Sequence, residues 1–140
     1  MTGLVLDGSA MLSFLLNDER EAAAEHILDI FEKSSDWSLL VPSHFWMEVA
    51  NGLLMAERRK RASRFDVADA LQLLFGLKVT TDDETSQRCR GESLELAREH
   101  DLTLYDAAYL ELALRRGVGL ATLDRALQRA AKAKGVRVLS

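Results

Sequence analysis

Apolar positions along the chain fall into two recurring patterns, short continuous runs and longer stretches spaced at three and four residues. Gly3-Leu4-Val5-Leu6 is an apolar run that stops at Asp7-Gly8-Ser9 and gives way to helix-compatible Ala10 through Leu16, which reads as strand, turn and helix. Glu19 to Lys33 carries Ala22, Ala23, His26, Ile27, Ile30 and Phe31 on one helical face, and Ser34-Ser35-Asp36 ends it. Ser38 to Val41 predicts a second strand. Pro42 and Ser43 open a helix, with Ser43 as its cap, through Phe45, Trp46, Val49, Leu53 and Leu54 to the basic end Arg58-Arg59-Lys60-Arg61. Ser63 caps a further helix to Gly76, Leu77 to Thr80 predicts a third strand, and Thr81 to His100 reads as one helix. Leu102 to Arg116 is apolar nearly all round, which predicts burial on most sides. Gly119 to Thr122 and Val136 to Leu139 predict two more strands around a helix at Arg125 to Lys134, with Gly117 and Gly135 as helix stops.

Short apolar strands alternating with amphipathic helices form the pattern of a parallel sheet covered on both faces, because parallel neighbours need helical crossovers. The expectation is a doubly wound α/β fold of about five strands, a single domain spanning residues 1–140, since no repeat, low-complexity tract or linker interrupts the chain. The 140 residues are 48% hydrophobic and 29% charged, a composition that excludes disorder. One cysteine, Cys89, makes no internal disulfide, and no Cys/His cluster has zinc-ligand spacing. The chain lacks an apolar run long enough for a membrane span, and Met1 to Asp7 lacks the features of a signal peptide, so a cytoplasmic protein is expected. A net charge of −4 argues against holding nucleic acid by a broadly basic surface, although carboxylates gathered at a metal site would lower that sum without describing the rest.

Four acids stand out. Asp7 and Asp124 end predicted strands, where each also suits an N-cap of the following helix. Asp106 follows Thr103 by three, as in a capping box. Glu48 lies inside the apolar helix Phe45-Trp46-Met47-Glu48-Val49-Ala50, where neither capping nor the helix dipole accounts for it and an arginine partner is the remaining structural explanation. In doubly wound sheets ligands collect beyond the carboxyl ends of the strands, so the four acids share a plausible focus. Two carboxylates about 5 Å apart repel by about 3 kcal/mol at an effective dielectric near 20, so such a cluster binds protons or a cation. Oxygen-only ligation selects a hard ion such as Mg²⁺ or Mn²⁺.

Leu4-Val5-Leu6-Asp7-Gly8-Ser9, Phe45-Trp46-Met47-Glu48-Val49-Ala50-Asn51, Leu102-Thr103-Leu104-Tyr105-Asp106-Ala107-Ala108-Tyr109-Leu110 and Ala121-Thr122-Leu123-Asp124-Arg125-Ala126-Leu127 resemble the PIN-domain ribonucleases, most closely the VapC type of toxin from toxin–antitoxin pairs. The resemblance covers almost the whole chain. It implies a PIN-like α/β/α sandwich and metal-dependent endonucleolytic cleavage of RNA by an activated water, leaving a 5′-phosphate and a 3′-hydroxyl. Asp7, Glu48, Asp106 and Asp124 match the family's acidic metal positions, with Asp7 and Asp106 as direct ligands and Glu48 and Asp124 as ligands directly or through water. Ser9 and Thr122 match its polar neighbours, and Asn51 the amide one turn after the glutamate. Gly8 stands where Thr or Ala is more usual, a small change at a turn that leaves the ligand set intact.

The resemblance further implies an RNA substrate, a homodimer, and an antitoxin that binds over or beside the active site. Phe45, Trp46, Met47 and Met55 lie on a helix apolar over more than one face, which suggests core plus subunit interface. Arg58, Arg59, Lys60, Arg61 and Arg64 are candidates for RNA-phosphate contact, against the simpler reading that they complement a helix end. His26, His44 and His100 are scattered without a nucleophile pattern and read as structural or surface residues. Rival readings fit less well. A phospho-receiver domain wants adjacent acids after the first strand and a lysine ending a late one, a haloacid-dehalogenase-like phosphatase wants an acid where Ser9 stands, and a PIN fold that binds without catalysis would not need all four acids.

Overall fold

The computed structural model describes residues 2–16, 18–19 and 25–140. Five strands form one parallel sheet: β1 (Thr2–Leu6), β2 (Trp37–Val41), β3 (Val79–Thr81), β4 (Gly119–Ala121) and β5 (Val138–Leu139), in the spatial order β3-β2-β1-β4-β5. Leu4 pairs with Leu39 on one side of β1 and with Gly119 on the other, so β1 is central. Its Leu4, Val5 and Leu6 are fully buried, as a strand covered on both faces requires.

Helices flank the sheet. Helices α1 (Gly8–Leu15), α2 (Glu25–Glu32), α3 (Phe45–Arg58) and α4 (Arg64–Gly76) form one packed group. A short α5 (Thr85–Arg88) leads to a second group, α6 (Glu92–His100), α7 (Leu104–Arg116) and α8 (Arg125–Ala133). Helix α7 buries Ala107 through Ala113 and packs on β1 and β4, which fulfils the expectation from its all-round apolar sequence. Buried side chains from both groups and the sheet join in one core. The result is the α/β/α sandwich expected. Chain order runs outward from β1 through β2 to β3, then returns to β4 on the opposite side of β1. The ends of β1 and β4 therefore flank the point where strand order reverses, the usual ligand crevice of such sheets.

Local chemistry sets the boundaries, and some differ from the sequence reading. Helix α1 starts at Gly8, two residues before the predicted start, because Asp7 caps it by accepting from the Ala10 N–H at 2.9 Å. Ser43 is not a cap: its N–H donates to Thr85 Oγ1 at 2.9 Å, and His44 occupies the cap position of α3 without a side-chain bond. Ser63 does cap α4, in a reciprocal box with Asp66. The single helix expected over Thr81 to His100 is two, because Thr81 completes β3, the Asp82 N–H donates to the Val41 carbonyl, and the Asp82 and Glu84 carboxylates are tied to Arg115. Gly117 and Gly135 adopt positive φ at the two expected stops. Of the helix expected from Glu19 to Lys33, Ala22, Ala23 and the side chain of His26 lie outside the described residues.

Candidate active site

Asp7 sits at the carboxyl end of β1 and is 3% exposed. Its backbone N–H donates to the Ala121 carbonyl at 3.1 Å, which ties the ends of β1 and β4 together. Three donors fix its carboxylate: Ser9 Oγ at 2.7 Å and the Ala10 N–H at 2.9 Å on Oδ1, and Thr122 Oγ1 on Oδ2. A carboxylate offers about four lone-pair positions, so one on Oδ2 remains for a further partner. Burial raises the Asp7 carboxyl from 3.8 to about 6, against the three hydrogen bonds that favour the ion. Ser9 Oγ also accepts from the Leu123 N–H at 3.0 Å, and Thr122 Oγ1 from the Asp124 N–H at 3.0 Å. Both hydroxyls thus lock the loop after β4 to Asp7.

Asp124 caps α8 through the Leu127 N–H at 2.8 Å, and Thr103 caps α7 by accepting from the Asp106 N–H at 3.2 Å. Capping and a place at the crevice therefore coexist in Asp7 and Asp124, which follow β1 and β4, whereas Asp106 lies in the first turn of a helix that follows α6 and is capped by Thr103. Burial pushes the half-buried Asp106 carboxyl up, and the charge of Asp124 adds to it. Glu48, one turn into α3, is raised from 4.5 to about 7 by burial first, then by the charges of Asp7 and Asp106. Asp7, Glu48 and Asp106 are thus brought into mutual electrostatic reach, and Asp124 joins them through Asp106. None of them pairs with a lysine or arginine among the described residues, and the histidine beside Glu48, His44, stands 3.9 Å away with its own proton affinity lowered by burial. The arginine partner considered for Glu48 is absent there.

A second acidic group has the opposite character. Asp82, Asp83 and Glu84 bring carboxylate oxygens within 4.8 Å of one another, closer than any three of the four site acids. Arg115 already engages two of these three acids, donating to Asp82 at 2.8 and 3.0 Å and to Glu84 at 3.1 Å, and it also reaches Glu111 at 2.9 Å. The guanidinium holds the Asp82 carboxyl below its usual range, whereas Asp7, Glu48 and Asp106 are all raised. Spacing alone favours Asp82; charge balance favours the crevice. A hard dication that keeps several waters suits a looser set of uncompensated oxygens, so the crevice acids fit such an ion.

Glu48 and Asp106, but not Asp7 or Asp124, line a cleft of about 430 Å³ together with His44, Met47, Asn51, Thr103 and Tyr105. Asn51 belongs to it, as expected. Met47 and Tyr105 are 77% and 66% exposed and form apolar lips. Tyr109 escaped the sequence reading, and Gly8 was read there only as a small change at a turn. The Tyr109 hydroxyl, fully buried, donates to Glu48 Oε1 at 3.3 Å, and its place one turn after Asp106 on the same helical face was the available signal. Gly8 approaches Glu48 so closely that a Cβ there would stand 2.0 Å from Oε1, so this departure from the family pattern is sterically coupled to the site.

The remaining candidates fare unevenly. Arg61 is held by Asp18 at 2.9 Å and Glu19 at 3.0 Å, while Arg58, Arg59, Lys60 and Arg64 are exposed and form no ion pair among the described residues. Of the apolar residues on α3, Phe45 is in the core, Trp46 is half-buried with its indole N–H on Thr81 Oγ1 at 2.8 Å, Met55 is half-buried, and Met47 faces outward.

A parallel α/β/α sandwich with acids gathered where its strand order reverses defines a class, and residues 4–133 match the PIN domain. The chain belongs to the PIN-domain family. It is 32% identical over 128 residues to Ribonuclease VapC3 of Pyrobaculum aerophilum, an alignment covering 89% of this chain and 91% of that protein. The fold is shared with PAE2754 from the same organism, at a TM-score of 0.68 and 24% identity, covering 98% of this chain and 83% of the other. It is shared also with VapBC2 of Rickettsia felis, solved bound to a DNA fragment from their promoter, at a TM-score of 0.65 and 13% identity, with 98% and 97% of the chains covered.

Proposed function

We propose that the protein is a metal-dependent endoribonuclease and the toxin of a toxin–antitoxin pair, with Asp7, Glu48, Asp106 and Asp124 holding Mg²⁺ or Mn²⁺. One observation carries the reading: three of the four acids have raised proton affinities, and no lysine or arginine among the described residues answers their charge. The name of the relative, Ribonuclease VapC3, supports RNA as the substrate. When bound, a divalent ion supplies neutralising charge, alignment of the scissile phosphate and a lowered pKa for an attacking water.

The chain's own residues do the rest. Ser9 and Thr122 hold the Asp7 carboxylate in one orientation, with a single lone-pair position spare. Tyr109 turns the Glu48 carboxylate by donating to Oε1. Asn51, on the open wall of the cleft, is placed to donate to or accept from the RNA strand. Arg58, Arg59, Lys60 and Arg64 extend a basic track toward the far end of α3 for the phosphates, and Arg61 fastens that end to Asp18 and Glu19. The partners are RNA, a cognate antitoxin and a second copy of the chain, and the site of action is the cytoplasm. Among the described residues no helix is long and apolar enough to cross a membrane.

The test is incubation with structured and unstructured RNA in Mg²⁺ or Mn²⁺ against EDTA, alongside Asp7→Asn and Asp106→Asn. Cleavage is expected only with the ion and the intact acids, and products should carry 5′-phosphates. Cleavage that persists in chelator or in both variants rejects the assigned site, and binding without cleavage under all conditions makes the protein a non-catalytic RNA module.

A further inference from the structure

Met47 and Tyr105 are large hydrophobic side chains left in water, and each directly precedes an acid of the proposed ion site: Met47 comes before Glu48 on α3, Tyr105 before Asp106 on α7. Both stand at the cleft of about 430 Å³ that Glu48 and Asp106 line, a volume in the range of small-ligand pockets. Neither is used by the core, since α7 buries Ala107 through Ala113 and leaves Tyr105 outside. The Tyr105 ring is nonetheless braced. It leans on the His44 ring at 5.8 Å between centroids, and His44 meets the buried Tyr109 ring edge-on at 5.0 Å. A ring held from behind, with most of its surface exposed, is a preorganised platform for another flat group.

The remaining lining decides which flat group. Among the described residues no lysine or arginine lines the cleft, and its two carboxylates are those assigned to the ion, so its walls offer a phosphate no cation of their own. With the ion bound, the carboxylate charge is answered, and the cleft still presents an aromatic face, a thioether and the Asn51 amide. Asn51 is exposed and its side chain has no hydrogen-bond partner among the described residues, which leaves an amide donor and a carbonyl acceptor side by side. That set matches an unstacked nucleobase, a neutral group with a flat face for stacking and an edge of donors and acceptors. We propose that the cleft seats one unstacked base of single-stranded RNA, stacked on Tyr105 and flanked by Met47, beside the ion-binding acids Glu48 and Asp106. The inference rests on the reading of those acids as an RNA-cleaving ion site and names what grips the strand next to it.

The experiment uses the full chain carrying Asp7→Asn, a change outside the cleft that is expected to stop cleavage. It is titrated in Mn²⁺ into short single-stranded RNAs with 2-aminopurine at successive positions, a base whose fluorescence falls when it stacks. Adding Tyr105→Ala is expected to weaken binding by about tenfold and to abolish the quenching seen in the parent. The slope of log affinity against log salt should stay unchanged, because no phosphate contact is lost. Tyr105→Phe should keep both affinity and quenching. In the cleaving chain, Tyr105→Ala should raise KM by about tenfold with kcat and calorimetric Mn²⁺ affinity unchanged, as loss of uniform substrate binding requires. Equal affinity, quenching and KM in Tyr105→Ala overturn the inference, while cleavage by the unsubstituted chain keeps the ion site standing. Unchanged RNA binding with a weakened grip on a hexa-arginine peptide assigns the cleft to a cationic peptide and overturns the inference as well. Absence of both RNA binding and cleavage in the unsubstituted chain removes the site reading and the inference with it.

Discussion

Burial and bonding pull Asp7 in opposite directions, and burial prevails. Its carboxyl rises from 3.8 to about 6, and that of Glu48 from 4.5 to about 7, so both bind protons more tightly in the folded chain than in the unfolded one. Stability from these groups is therefore fullest below about pH 4 and is lost as pH rises through about 6 to 7, where the folded acids must ionise. For Asp7 the shift corresponds to about 3 kcal/mol above its folded pKa. A bound dication replaces the protons. The metal-free melting temperature should contain a falling contribution across that interval, and the rise in melting temperature on adding Mn²⁺ should be larger near pH 8 than near pH 5. Scanning fluorimetry at the two pH values checks this, and an equal rise at both contradicts it. At this scale the four acids were legible, because residue type and local setting carry them. Tyr109 was not, since its contact with Glu48 depends on how closely α3 and α7 approach, a distance no local pattern encodes.

At the level of elements, caps and ion pairs decide where helices begin and break. Thr103→Ala removes the hydroxyl that accepts from the Asp106 N–H at the start of α7 and should cost about 1 kcal/mol in denaturant unfolding. Arg115→Met leaves Asp82 and Glu111, both buried, without their cation and should cost about 3 kcal/mol in denaturant unfolding, without weakening Mn²⁺ binding at the crevice. Weakened Mn²⁺ binding in Arg115→Met would instead couple the two clusters. The same arginine explains why Thr81 to His100 misleads as sequence. The residues suit a helix, but Asp82 is drawn to a guanidinium 33 positions away, and the chain turns there to meet it. Helix α4 was legible because Ser63 and Asp66 are neighbours in sequence as well as in space. The start of α3 was not, because the Ser43 N–H is taken by Thr85 from a distant turn.

Across the whole molecule, charge is sorted rather than uniform. The net charge of −4 hides an acidic crevice at one end of α3 and a basic run at the other, about 15 Å apart at 1.5 Å per residue from Glu48 to Arg58. Replacing Arg58, Arg59, Lys60 and Arg64 by glutamine should flatten the dependence of log affinity for single-stranded RNA on log salt by about 3, at about 0.7 per phosphate contact. An unchanged slope removes the track from the binding surface. The α/β class and parallel sheet follow from alternating strand and helix patterns, whereas the order β3-β2-β1-β4-β5 comes from pairings between strands far apart in sequence. Central to the whole account is an uncompensated set of carboxylates that holds a hard dication, and calorimetric titration of the metal-free protein with Mn²⁺ tests it most directly. Saturable binding in the wild type that disappears in Asp7→Asn/Asp106→Asn is the predicted result; no binding in the wild type, or equal binding in both proteins, contradicts it.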